Sequence, residues 1–475
     1  MARARTGKGS INTPLQEGRK ATQRERLLTG MIAVANRGGY AGANVGAVIE
    51  HAGVSRPTFY DYFEDREDCF FATIIDIHER LYTEVRSKLA DAPAADALAG
   101  AIEVTLEFAT SQPAAARFLM NESLAGGATA LHARDDGIDH TAALVEEAFK
   151  GAPAKAQIPD IPVAIILGAV HRLLATRLRR GERGINQLQE DLLDWTRSYS
   201  REEAKARWQT LKRRAAPERS PYLPRVRLRA PERLGPGRPR LSEQEVSENH
   251  RQRIMFATSE VVAERGYSAA IVSEITGLSG VDGREFYRLF ADKQEAFSAV
   301  HELGFQHLMA VTAGAFFAGS SWPERIWEAF RAATQVVQEN PTVANVGFVE
   351  AYAVGASGIH RVEDSRVAFA IFLQEGYRYA SAGQPPSRLA LEAIITAIFE
   401  VFYRDTRAGE QERTPELLAD IVHLCIAPFI GVDAAERFID AKLAETGKAA
   451  RAARGRSKPG ADPRKRATSA RKRRA

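Results

Sequence analysis

The chain has 475 residues, a formal net charge of +5, and 45% apolar and 26% charged residues. These proportions belong to an ordinary globular protein and exclude a fibrous or wholly disordered chain, while the length suggests two to four domains. Two cysteines, Cys69 and Cys425, exclude a disulfide framework and a tetrathiolate zinc site, and they suit a reducing compartment as buried, inert thiols.

The amino terminus, MARARTGKGSINTP, is basic with no apolar stretch behind it, so it does not read as a secretory signal. Residues 1–20 read as a basic arm. Leu27, Leu28, Met31, Val34 and Ala35 then fall on one helix face. The stretch Asn44 to Phe63 reads as two short helices. Asn44 caps the first, Ala52-Gly53-Val54 turns with glycine at positive φ, and Ser55 caps the second, which tolerates Pro57 in its first turn. Phe59 and Phe63, one turn apart, point inward, leaving Arg56, Thr58, Tyr60 and Asp61 for solvent or a ligand. Asp61 would repel phosphate, so it is expected to turn sideways or bond to Arg56 or Arg66. Further helices are expected at 68–90, 95–111, 114–124, 138–150, 160–180 and 186–199. The longest apolar run, Val163 to Val170, is too short to span a bilayer. A cytoplasmic location and no membrane partner follow as expectations.

Residues 201–247 form a linker dense in Pro and Arg, unable to run as one helix. After it the chain repeats itself. Arg24-Glu-Arg-Leu-Leu, Gly39-Tyr40 and Ala52 to Phe70 recur as Arg251-Gln-Arg-Ile-Met, Gly266-Tyr267 and Ser279 to Phe297, at a constant offset of 227 residues without a gap. A period this long is not a solenoid; it means two whole domains in tandem. The second part offers helices at 294–318, 322–339, 341–354, 363–381, 387–408 and 414–430. No convincing run of alternating strands appears. The tail, 447–475, holds 12 Lys or Arg against one acid, leaving the rest of the chain at about −6. It is expected to be disordered and to attract polyanions without reading sequence.

Two short helices joined by a glycine turn are a helix-turn-helix, whose second helix is sized for the major groove of B-DNA. The series Arg24, Leu27-Leu28, Gly39-Tyr40, Val45, Ala52-Gly53-Val54-Ser55, Tyr60 to Phe63 and Arg66-Glu67 resembles the amino-terminal domain of TetR-family transcriptional regulators over roughly residues 21–81. Residues 248–308 resemble it more weakly, with a motif from Ile271 to Phe290. The resemblance implies an all-α fold of two tandem units, each a helix-turn-helix domain followed by a helical ligand-binding and dimerising bundle, at 82–200 and 309–446.

It also implies roles. Asn44 would approach a phosphate; Arg56, Pro57 and Thr58, behind the cap Ser55, would meet base edges; Tyr60 would touch the backbone; Arg66 would pair with a phosphate. Tyr60 as a half-buried core aromatic and Arg66 paired with Asp65 or Glu67 are the bland alternatives. In the second copy Asn44 becomes Ile271, and Ser55-Arg56-Pro57-Thr58 becomes Asp282-Gly283-Arg284-Glu285. Asp282 and Glu285 have capping-box spacing, while Arg284, Tyr287, Arg288 and Lys293 stand where they could touch DNA. The segment Gly235-Pro-Gly-Arg-Pro-Arg240 reads either as a plain linker or as an arm for a narrow minor groove.

No phosphate loop, dinucleotide fingerprint, zinc-protease motif or nucleophile elbow occurs; His132 and His140 are too far apart for one metal face. No catalytic residue, cofactor or metal is therefore expected. The function expected is a DNA-binding transcriptional regulator, a ligand-responsive repressor that presents two recognition helices to double-stranded DNA. The two units would pair within one chain, 160–199 against 387–430, or as a homodimer. A small apolar effector is the expected second partner, with Ile102–Phe108 or Ile394–Phe402 either lining its cavity or serving as plain core. The competing readings are a sequence-tolerant nucleoid-type DNA binder and an enzyme or ligand carrier that has lost DNA binding.

Overall fold

The computed structural model describes residues 14–153, 156–200, 212–224, 228–235, 241–380 and 385–456, of which 14–21 and 446–456 are described as helix only. The amino-terminal half runs through α1 (Pro14–Gly42), α2 (Val45–Ala52), α3 (Arg56–Tyr62), α4 (Arg66–Ala90), α5 (Ala97–Ser111), α6 (Pro113–Arg117), α7 (Gly127–Phe149), α8 (Val163–Arg180) and α9 (Gln189–Arg197). The carboxy-terminal half runs through α10 (Glu243–Arg265), α11 (Val272–Ser279), α12 (Gly283–Leu289), α13 (Lys293–Phe316), α14 (Trp322–Glu339), α15 (Pro341–Phe348), α16 (Ala356–Phe369), α17 (Arg388–Arg407), α18 (Leu418–Ile430) and α19 (Val432–Arg456). Among the described residues there is no strand, only an isolated bridge between Pro159 and Ser200. No helix there is long and apolar enough to cross a membrane.

The apolar face read from the sequence is the buried one: Leu27, Leu28, Met31, Val34 and Ala35 all lie in the core. One continuous apolar cluster extends from Leu27 to Ile439 through both halves. Ile102 to Phe108 contributes plain core, and Phe399 lines a cavity.

Some boundaries differ from those expected. Helix α7 begins at Gly127, not near 138, because His132, Arg134, Asp135 and Asp136 hide its apolar face; Arg134 is itself buried there. The helix expected at 363–381 is α16 followed by two short turns, Ile371–Gln374 and Glu375–Arg378. The tail does not turn irregular at 447: α19 continues to Arg456 through a run of Ala, Lys and Arg, which favour helix. Likewise α1 reaches back to Pro14, into the expected arm. The tail beyond 456 and the arm motif at 236–240 lie outside the described residues.

The linker is not a free tether where it is described. Leu223 is buried against Val311, Ala315, Ala332 and Val336. The Ser220 amide donates to Gln335 Oε1 at 2.7 Å, and Arg213 Nη2 pairs with Asp405 at 2.5 Å. It straps the carboxy-terminal half.

The halves meet along α8 and α9 on one side and α17 and α18 on the other. Tyr199 Oη donates to the Leu424 carbonyl at 2.9 Å. At the centre Glu400 is fully buried and receives Arg172 Nε at 2.5 Å and Arg404 Nε at 3.0 Å, with Arg134 3.8 Å away. Burial raises the Glu400 carboxyl, but Arg172, Arg134 and Arg404 together hold it well below the ordinary range. Gly168 makes the room, since a Cβ there would lie 2.6 Å from the Glu400 carboxyl.

Candidate nucleic-acid interface

The site is built on glycine turns. Gly53 caps α2 at φ 60°, and Gly280 caps α11 at φ 61°, the left-handed region that glycine enters without cost. Each turn is clamped by an arginine from the long helix before it. Arg26 Nε donates to the Ala52 carbonyl at 2.8 Å, and Arg253 donates to the Ser279 carbonyl. No local pattern singles out Arg26 and Arg253, although both sit in the repeated segment at the same spacing.

Helices α3 and α12 are anchored alike. Phe59 and Phe286 are completely buried, and Phe63 and Phe290 nearly so. Ser55 Oγ accepts from the Thr58 amide at 3.2 Å and also meets Thr58 Oγ1 at 2.8 Å, so the cap engages the Thr58 hydroxyl. Asn44 accepts from the Ala47 amide at 3.0 Å and stands exposed at the start of α2. Arg56 and Pro57 are exposed at the leading end of α3, and Tyr60 is 50% exposed. Arg56 lies 6.0 Å from the Tyr60 ring centroid, so it turns to the tyrosine rather than to Asp61. Arg66 stacks 4.4 Å over the Tyr40 ring with Glu67 at 3.8 Å, so its partners are Tyr40 and Glu67 rather than Asp61.

The second corner keeps the frame and changes the exposed groups. Ile271 provides no side-chain cap for α11. Asp282 accepts from the Glu285 amide at 3.0 Å, but Glu285 does not return the bond; the capping box is half made. Its carboxylate instead takes Arg288 Nε at 2.7 Å and contacts His250 Nδ1 at 3.1 Å, and the Arg288 hydrogen bond holds it down to about 2. Arg284 is exposed and Tyr287 is 61% exposed, while Arg288 is tied to Glu285 and to Ser247. Lys293 is spent internally. Its ammonium donates to the Tyr267 and Ala270 carbonyls at 2.7 and 2.8 Å, and burial lowers its pKa. Lys293, expected to stand where it could touch DNA, is thus engaged within its own corner.

At each corner a partly buried glutamate that the sequence did not single out lies beneath the long helix's end. Glu350 Oε2 accepts from the Tyr267 amide at 2.8 Å, and the Tyr40 backbone favours the charged form of Glu122. Both lie beneath positive-φ glycines, Gly266 and Gly39, and burial raises both carboxyls. No group of metal-ligating side chains occurs among the described residues, and His132 pairs with Asp136 at 3.5 Å.

Residues 27–73 match the model of the bacterial regulatory proteins, tetR family. They form a tetR-family amino-terminal domain. No curated protein matches the chain. Among solved structures, the fatty acid degradation regulator FadR of Bacillus halodurans is 15% identical, with 37% of this chain and 99% of that one covered at a TM-score of 0.33. A tetR-family regulatory protein from Rhodococcus is 18% identical, covering 41% and 95% at 0.30. FadR of Bacillus subtilis in complex with stearoyl-CoA is 15% identical, covering 37% and 99% at 0.31. The match makes residues 27–73, the helix-turn-helix corner of the amino-terminal half, a tetR-family DNA-binding domain in kind.

Proposed function

We propose that this regulator presents both α3 and α12 to one DNA duplex, its two halves serving as an intramolecular pseudo-dimer that represses until an effector binds. The observation that carries the reading is the recurrence, at one spacing, of a buried frame beneath an exposed leading end: Gly39, Gly53, Phe59 and Phe63 against Gly266, Gly280, Phe286 and Phe290. Asn44, Arg56, Pro57, Thr58 and Tyr60 are the contacts proposed at the first corner, Arg284 and Tyr287 at the second. Arg66 and Arg288 would join only by leaving their present partners.

The seam supports pairing within the chain. Gly181 and Gly409, both at positive φ, stand 228 residues apart and end α8 and its counterpart α17. The same spacing makes Arg172 and Glu400 equivalent positions, and they meet each other. Pairing two like halves would set Arg172 against Arg172, or Glu400 against Glu400, in a buried place where an unpaired charge costs about 3–5 kcal/mol.

For the effector, a slim apolar cavity of about 60 Å³ opens among Phe305, Leu308, Val337, Phe369 and Phe399 in the carboxy-terminal half. His301 Nδ1 and Asn340 Oδ1, buried at its wall, have no partner among the described residues and offer hydrogen bonds to a ligand.

Selection of bound DNA fragments together with light scattering of the free and bound protein tests the reading. The expected result is one 52.1 kDa chain on an asymmetric site with two half-sites roughly 34–36 Å apart. A particle of twice that mass, or no preference over random DNA, overturns it.

A further inference from the structure

The two flanks of the seam are related by the 228-residue spacing, and comparing them exposes an unanswered charge. On one flank Arg407 pairs with Asp135 at 3.7 Å and Arg404 with Asp139 at 2.7 Å. On the other, Arg179 pairs with Glu363, the counterpart of the first pair. The counterparts of Arg404 and Asp139 are Thr176 and Val367, so the second pair is missing. In its place Arg366, at the position equivalent to Ile138, reaches Thr176 Oγ1 at 3.1 Å and Thr396 Oγ1 at 3.4 Å.

The Arg366 side chain is only 11% exposed, and its Nε has no hydrogen-bond partner among the described residues. Its nearest carboxylate, Glu363, is 3.9 Å away and already engaged by Arg179, with Arg180 at 3.7 Å. Burial lowers the Arg366 pKa, as expected of a cation short of a counter-ion.

Arg366 borders a cleft of about 750 Å³ between α8 and the α16–α17 pair. The charged residues lining it are Arg177, Arg180, Arg366 and Arg388 against Glu363 and Glu392. Arg177 is held by Glu392 at 2.8 Å, a glutamate that is half exposed. Leu173, Leu391, Ile395 and Val367, the last 70% exposed, supply an apolar wall.

We propose that this cleft is a binding site for an organic anion, a carboxylate or phosphate ester with an apolar body, whose charge replaces the missing acid beside Arg366. The site is separate from the apolar cavity of the carboxy-terminal bundle and is shared by both halves, so its occupant grips α8 and α16–α17 together. An effect on DNA binding would rest on the function proposed above. The binding itself does not, and the test contains no DNA.

The test is calorimetric titration of the full chain with decanoate, decanol and inorganic phosphate. Decanoate should bind at one equivalent, at least tenfold more tightly than either control. Val367→Asp, an exposed change that restores the acid Asp139 supplies on the opposite flank, should weaken decanoate at least tenfold without lowering the melting temperature. Arg366→Gln should do the same where it folds. Equal affinity for decanol, equal affinity for phosphate alone, or a Val367→Asp protein that binds decanoate like the parent each overturns the proposal.

Discussion

At the amino-terminal corner Ser55 caps a helix led by Arg56, Pro57 and Thr58; at the carboxy-terminal corner Asp282 caps one led by Gly283, Arg284 and Glu285. Beneath them the two corners are nearly superimposable in kind. Tyr40 meets Phe70 edge-on at 4.7 Å, and Tyr267 meets Phe297 at 5.0 Å. A cation covers each tyrosine, Arg66 at 4.4 Å and Lys293 at 4.5 Å. The buried layer, which decides whether the corner forms, is repeated; the exposed layer is rewritten. A lysine can replace an arginine over the ring because the contact there is charge on a π face. The shorter group then finds two carbonyls of its own and is partly buried there.

That contrast can be broken at several depths. Phe59→Ala and Phe286→Ala should each cost about 3–5 kcal/mol, because both rings are fully buried, and denaturant melts should find the two losses similar. A large difference between them would show that the frames are not equivalent. Arg56→Ala should weaken DNA binding by about 1–3 kcal/mol and relax preference at one base step, as read by anisotropy on a panel of sites. Arg284→Ala should change preference at a different step, within the other half-site. Ile271→Asn should supply the cap that α11 lacks and add roughly 0.5–2 kcal/mol of stability, with Asn44→Ala the converse at the first corner.

The smallest expected effect concerns Glu285. Glu285→Gln should release Arg288 and tighten DNA binding several-fold with a steeper salt dependence, measurable by titration at two ionic strengths. Since Arg288 depresses the folded carboxyl to about 2, its contribution to stability is present above the ordinary carboxylate value and fades as pH falls. Parent and variant melts should therefore differ at pH 6 and converge near pH 2.

The helix-turn-helix corners were legible because their signals are local: a glycine at positive φ, a cap, two phenylalanines one turn apart. The seam was legible only as a pairing of helices. Its chemistry lies in contacts such as Arg172 with Glu400, 228 residues apart, which no local pattern announces. Glu122 and Glu350 escaped for a related reason. The spacing that relates the corners is 227, whereas theirs is 228, so the alignment that exposes one hides the other. From sequence alone helix α7 looks short because Arg134, a residue type expected outside, is buried.

The interlocked Arg172–Glu400 centre has a consequence for how the protein responds to its own abundance. Partners joined by one backbone cannot be diluted apart, since each holds the other at a fixed local concentration. Under the proposed pseudo-dimer, occupancy of a target should then rise in direct proportion to the number of chains at low levels. It should lack the threshold that a separate assembly step imposes, so a cell with few copies would still hold every one in working form.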